Sequence, residues 1–180
     1  MKREDCNLET KQAFLSSAIS DISSYIQLAD TKVSIIMAAV VAILVGISSC
    51  YELLGTAISK IVPCSWIGVL FIISSVFFGV STIAVFIFGL MTVSGHKSII
   101  SYKSKWFLSS STKEYSFTDF SKDIDEMTEK DIIENMAAEL YKLNDINRQK
   151  MKSFKWTMIA FASFLVMMAF ICLLLLINII

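Results

Sequence analysis

The chain has 180 residues, 55% of them hydrophobic and 18% charged, and its sixteen basic residues balance sixteen acidic ones. That is too apolar for an ordinary soluble domain and too short for two of them, and nothing in the charge pattern points to nucleic acid as a partner. Charge-free runs occupy Val33 to Tyr51, Ile61 to Gly95 and Trp156 to Ile180, each at or above the roughly 18 residues that mark a membrane-spanning candidate. The composition therefore predicts an all-α integral membrane protein with three transmembrane helices and two amphipathic cytoplasmic helical arms.

Residues 1–32 form the first arm. Asn7 suits a helix cap, Glu9 complements the macrodipole, and no Gly or Pro follows before Gly46. From Leu15 through Ile19, Ile22, Ile26, Ala29, Val33, Ile36, Val40 and Ile43 to Ile47 the steps alternate four and three. This is the apolar seam of one long helix. Up to Lys32 the opposite face is polar, so the helix rises out of water into lipid, and Asp30 and Lys32 at the crossing are candidate coupling residues. In the first span, residues 33–51, Ala38, Ala42 and Gly46 recur every four residues, the small-residue pattern that allows close helix packing in lipid.

Residues 52–62 read as a short outer loop with Tyr51 and Trp66 as interfacial anchors. The second span, 63–95, opens on Pro63 in its first turn and closes near Gly95, and Ser75, Gly79 and Thr82 give it a small, weakly polar stripe. No span contains Asp, Glu, Lys, Arg or His, which argues against a proton relay. Lys and Arg concentrate before the first span and between the second and third, leaving Lys60 alone in the short loop. The N-terminus and the long segment are therefore expected in the cytoplasm.

The four cysteines have no metal-binding spacing, and His96 is the one histidine. Cys50 and Cys64 flank the outer loop and suit either a disulfide or, more commonly, two buried small side chains. In the cytoplasmic segment 96–155, the stretch from Ser98 to Phe107 mixes aromatic and basic groups. Lys103, Lys105, Trp106 and Tyr115 are the candidate ligand contacts, although such a mixture also suits an anionic membrane surface. The second arm starts at Ser121 or at Thr128, which has Asp131 three residues on. Ile133, Met136, Leu140 and Leu143 repeat the seam, which Asn147 and Lys150 interrupt before Phe154. Arg148, Lys150, Lys152 and Lys155 suit anionic lipid. The third span, 156–180, is rich in Phe, Met and Leu, and reads as lipid-facing.

Taken together, Leu28 to Lys32, the residues Ser98, Ile99, Ile100 and Tyr102, the pair Glu114 and Tyr115, and the arm from Asp131 through Ala138 to Tyr141 and on to Lys150 resemble the Pycsar transmembrane effector family of bacterial antiphage defence. The resemblance covers most of the chain, although Lys103 stands where the family commonly has Gly. It implies a multi-pass protein of the bacterial inner membrane, encoded beside a pyrimidine cyclase. It also implies activation by a cyclic pyrimidine nucleotide, no other cofactor, and damage to the membrane until the infected cell dies. Three helices without intramembrane charge cannot enclose a wide pore alone, so such damage requires a homo-oligomer. The alternative is a non-enzymatic accessory or scaffold subunit whose arms dock a cytoplasmic partner. An enzyme has little support, because no nucleophile with a base and no paired carboxylates stand out.

Overall fold

A computed structural model describes residues 7–62, 65–94 and 116–179. The candidate ligand contacts Lys103, Lys105, Trp106 and Tyr115 lie outside the described residues, as do Cys6, Pro63, Cys64, Gly95 and His96. Five helices follow in order: α1 Leu8–Ser49, α2 Tyr51–Ser59, α3 Trp66–Val93, α4 Phe117–Asp125 and α5 Glu129–Ile179. There is no strand among the described residues. Helices α1, α3 and α5 are each long and apolar enough to cross a membrane. The chain divides into two units, one of residues 1–27 with 96–149 and the other of 28–95 with 150–180.

Helix ends follow local side-chain chemistry. Thr128 and Asp131 form a reciprocal capping box at the start of α5: the Thr128 amide and hydroxyl donate to Asp131 Oδ2 at 3.0 and 2.6 Å, and the Asp131 amide donates to Thr128 Oγ1 at 3.3 Å. Ser116 and Asp119 repeat the device on α4, whose Ser116 Oγ accepts from the Asp119 amide at 3.2 Å. Ser121 thus lies inside α4 and caps nothing. At the start of α3, Ser65 Oγ accepts from the Gly68 amide at 3.1 Å. Cys50, at φ −99° and ψ 23°, breaks α1 from α2, so most of the segment read as loop is helical. Its thiol is free and exposed, not buried.

In the first unit, Leu15, Ile19, Ile22 and Ile26 on α1 are half-buried, as are Ile133, Leu140 and Leu143 on α5, where Met136 is buried. On α5 burial extends beyond the seam, since Asn135 is buried and Ile132, Ala138, Glu139, Lys142 and Ile146 are half-buried as well.

The second unit is a three-helix bundle with α2 appended. Its core joins Val40 of α1, Val85 of α3 and Ala160 and Phe164 of α5, with Phe78, Phe86 and Phe161 packed around them. Phe78 stacks on Phe164 at 4.8 Å and Phe88 on Trp156 at 6.1 Å, so α3 runs antiparallel to α5. The third span is therefore not simply lipid-facing: Phe164 is completely buried, in one cluster with Val40 and Val85 and stacked on Phe78. On α3 the buried small residues are Gly68, Ser74, Ser81, Gly89 and Thr92. The neighbours Ser75, Gly79 and Thr82 are half-buried. Ser81 and Ser163 share a hydrogen bond of 2.9 Å between helices, and Ser74 and Thr92 donate to the carbonyls of Leu70 and Phe88 at 2.6 and 2.8 Å. Each hydroxyl is satisfied without water, as a lipid-embedded core requires.

A Cβ on Gly89 would lie 2.8 Å from Met37 Sδ and 3.4 Å from Val33 Cγ1, whereas one on Gly46 would meet nothing within 4 Å. Ala38, Ala42 and Gly46 are all exposed, on a face of α1 turned away from the bundle core. Gly89→Val is therefore expected to destabilise the bundle by about 1–3 kcal/mol through overpacking, with partial recovery on adding Met37→Ala. Gly46→Val should change it by less than about 0.5 kcal/mol. Thermal unfolding of the detergent-solubilised chain checks both.

Candidate functional site

The α5 seam has no geometric gap at Lys150. Positions 150, 153, 157, 160 and 164 are all buried, so the helix presents a lysine where its spacing calls for an apolar residue. On α1, Asp30 sits between the buried Ala29 and Val33. Lys150 Nζ donates to both carboxylate oxygens of Asp30, at 2.7 Å each. The Lys150 side chain is 7% exposed and that of Asp30 32%. The two helices run parallel from here to the shared core around Val40 and Ala160.

The surroundings are polar. Ser153 and Thr157 are buried one and two turns further along α5, and Thr157 Oγ1 donates to the Ser153 carbonyl at 3.1 Å. Thr92, near the end of α3, is completely buried. Beyond this layer the core is mainly hydrocarbon, with the Ser81–Ser163 hydrogen bond within it. An ammonium so placed needs a compensating charge, because an unpaired buried cation costs several kcal/mol. Asp30 supplies both charge and hydrogen bonds, and its own exposure lets it keep part of its hydration.

The structure thus gives Asp30 a definite partner, and that partner is Lys150. Lys32 is exposed. Sequence reading missed the pair because the two residues are 120 positions apart. The available signal was a cation in one seam and an anion in the other, each just ahead of a charge-free run. Of the cations grouped with Lys150, Arg148 is 81% exposed and reaches Asp145 at 3.3 Å, and Lys152 and Lys155 are exposed.

In the first unit, Asp145 also accepts from Gln149 Nε2 at 3.1 Å, and the buried Asn135 donates to the Asp131 carbonyl at 2.8 Å. Glu139 Oε2 and Asn147 Oδ1 are buried without a hydrogen-bond partner. Among the described residues no group of His, Cys, Asp and Glu is arranged to hold a metal ion.

The chain matches the Pycsar effector protein domain over residues 14–177, a stretch that begins on α1, ends on α5 and includes both Asp30 and Lys150. The chain belongs to the Pycsar effector family. This Pycsar effector is therefore an effector of antiphage defence built as a multi-pass membrane protein, as the sequence resemblance implied. No match was found among curated proteins or solved structures.

Removing one partner of the buried pair leaves the other uncompensated. Asp30→Asn, which strands the buried Lys150 ammonium, is expected to lower the stability of the effector by about 3–5 kcal/mol, whereas Lys32→Gln should stay within about 0.5 kcal/mol of wild type. Chemical unfolding in detergent monitored by circular dichroism distinguishes the two.

Proposed function

We propose that this Pycsar effector is a non-enzymatic membrane-disrupting protein, activated by a cyclic pyrimidine nucleotide and acting as a homo-oligomer in the bacterial inner membrane. The observation that carries the reading is the continuity of α1 and α5, each of which contributes residues to both the more polar unit and the apolar bundle. A change in either helix on the polar side thus has a covalent, hydrogen-bonded route to a spanning segment. The distribution of Lys and Arg supports a cytoplasmic N-terminus, which would place Leu15 to Ile26 and Ile133 to Leu143 on the side where the nucleotide is made. Ligand contact falls to Lys103, Lys105, Trp106 and Tyr115, whose aromatic and cationic groups suit a base and a phosphate.

The bundle of one chain offers no route through the membrane, since Val40, Val85 and Phe164 are fully buried at its centre. Damage therefore needs several copies. The exposed stripe of Ala38, Ala42 and Gly46 is the surface on which a second chain would pack closely.

The test is uptake of an impermeant dye by bacteria carrying the effector with and without a cyclic pyrimidine nucleotide source. Wild type should admit dye only with the source, and Ala42→Leu should insert normally yet admit much less. Ile22→Asp and Leu140→Asp should insert but abolish the response, because a carboxylate in either seam must be desolvated or force the helices apart. A wild-type protein that crosslinks only as a monomer and keeps the membrane tight at every nucleotide level would instead identify an accessory subunit.

A further inference from the structure

The Asp30–Lys150 pair has a property that an apolar contact at the same place would lack. Apolar contacts on parallel helices can slide or rotate by degrees, losing area gradually. A buried ammonium cannot: it is either matched or stranded. Lys150 is the more deeply buried partner, and both of its short hydrogen bonds end on one carboxylate of the neighbouring helix. A rotation of α1 against α5 that carries the carboxylate out of reach of the lysine breaks both bonds together. Well-packed hydrophobic residues would hold the two helices at least as firmly, so what the pair adds is the all-or-none character of the contact.

The pair and the sealed core belong to the same arrangement. With Asp30 and Lys150 matched, Val40 and Phe164 are fully buried in one cluster and Phe78 stacks on Phe164. Three helices packed in this way conduct nothing. A permeating arrangement reached by moving α1 against α5 must separate the two where they enter the bundle. The pair, at the end of the bundle where α1 and α5 enter it, must then come apart.

We propose that Asp30 and Lys150 form the latch that holds this Pycsar effector in its sealed arrangement, and that activation proceeds by breaking it. The inference rests on the membrane-disrupting reading above and names how that activity is restrained. Loss of either charge releases α1 from α5, and exchanging the two charges restores the restraint, because the restraint lies in the pairing and not in either residue alone.

The experiment uses the full chain in bacterial membranes with Asp30→Asn, Lys150→Gln, and the exchange of Asp30→Lys with Lys150→Asp. Two quantities are read without any cyclic nucleotide source: dye uptake, and the yield of an oxidatively formed disulfide between Val40→Cys and Ala160→Cys in a background lacking the native cysteines. Each single variant is expected to raise basal uptake by about tenfold or more and to lower the disulfide yield severalfold. The exchanged pair should return both to wild-type values. Single variants that match wild type in both readouts would overturn the latch, as would an exchanged pair that behaves like the singles. If the singles fail to accumulate, the exchanged pair, which strands no charge, decides the matter: wild-type accumulation and tightness support the latch, and failure overturns it. Should wild type admit no dye even with a nucleotide source, the membrane-disrupting reading falls, while the disulfide yield still tests whether the pair fastens α1 to α5.

Discussion

A lysine ammonium almost removed from water must find a carboxylate, and here the carboxylate comes from a different helix. That requirement sets the register between α1 and α5. Once Asp30 and Lys150 are level, the buried residues above them follow in a fixed order: Val33 on α1, then Val40 with Ala160 and Phe164. Helix α3 fits the remaining groove in the opposite direction, with Gly89 admitting Met37 and its Phe78 ring lying on Phe164. Apolar packing alone tolerates a shift along the bundle more readily than a single matched charge does.

The long helices α1, α3 and α5 were legible from the sequence because they depend on local spacing and on charge-free runs, whereas α2 was read as loop. The alternation of four and three from Leu15 to Ile43 matches the side of α1 that is buried or half-buried, and the box at Thr128 and Asp131 marks where α5 begins. The box at Ser116 and Asp119 follows the same rule and announces α4, although the pattern around it is too polar to suggest a helix by periodicity. What could not be read was pairing. Nothing local distinguishes Lys150 from Arg148 or Lys152, since cations are expected at any cytoplasmic edge. Lys150 stands apart only through its place in the seam and through an acid at position 30. Inside the spans the limit is different: where every residue is apolar, periodicity carries no information, so the inward faces of Phe164 and Ser81 emerge only from the packing.

The exposed and buried small residues divide the labour of the spans. On α3, Gly89 and the back-bonded hydroxyls let α1 and α5 close on it, and Ser81 reaches across to Ser163. On α1, the row Ala38, Ala42 and Gly46 is left on the outside, where its lack of bulk serves nothing within the chain. A surface that is smooth on the atomic scale can be approached by another helix at backbone distance, which bulky lipid-facing residues prevent.

The hydroxyls of α3 have a mechanical consequence. Ser74, Ser75, Thr82 and Thr92 each donate to the carbonyl four residues earlier, and such bonds compete with the backbone ladder and make a helix easier to bend. In the membrane-spanning part of α1 only Ser34 and Ser49 do the same, and on that of α5 Thr157 does. Bending compliance is therefore concentrated in the middle member of the bundle, while its two parallel neighbours are comparatively stiff rods. A torque applied along α1 or α5 would be carried with little loss and absorbed as curvature in α3.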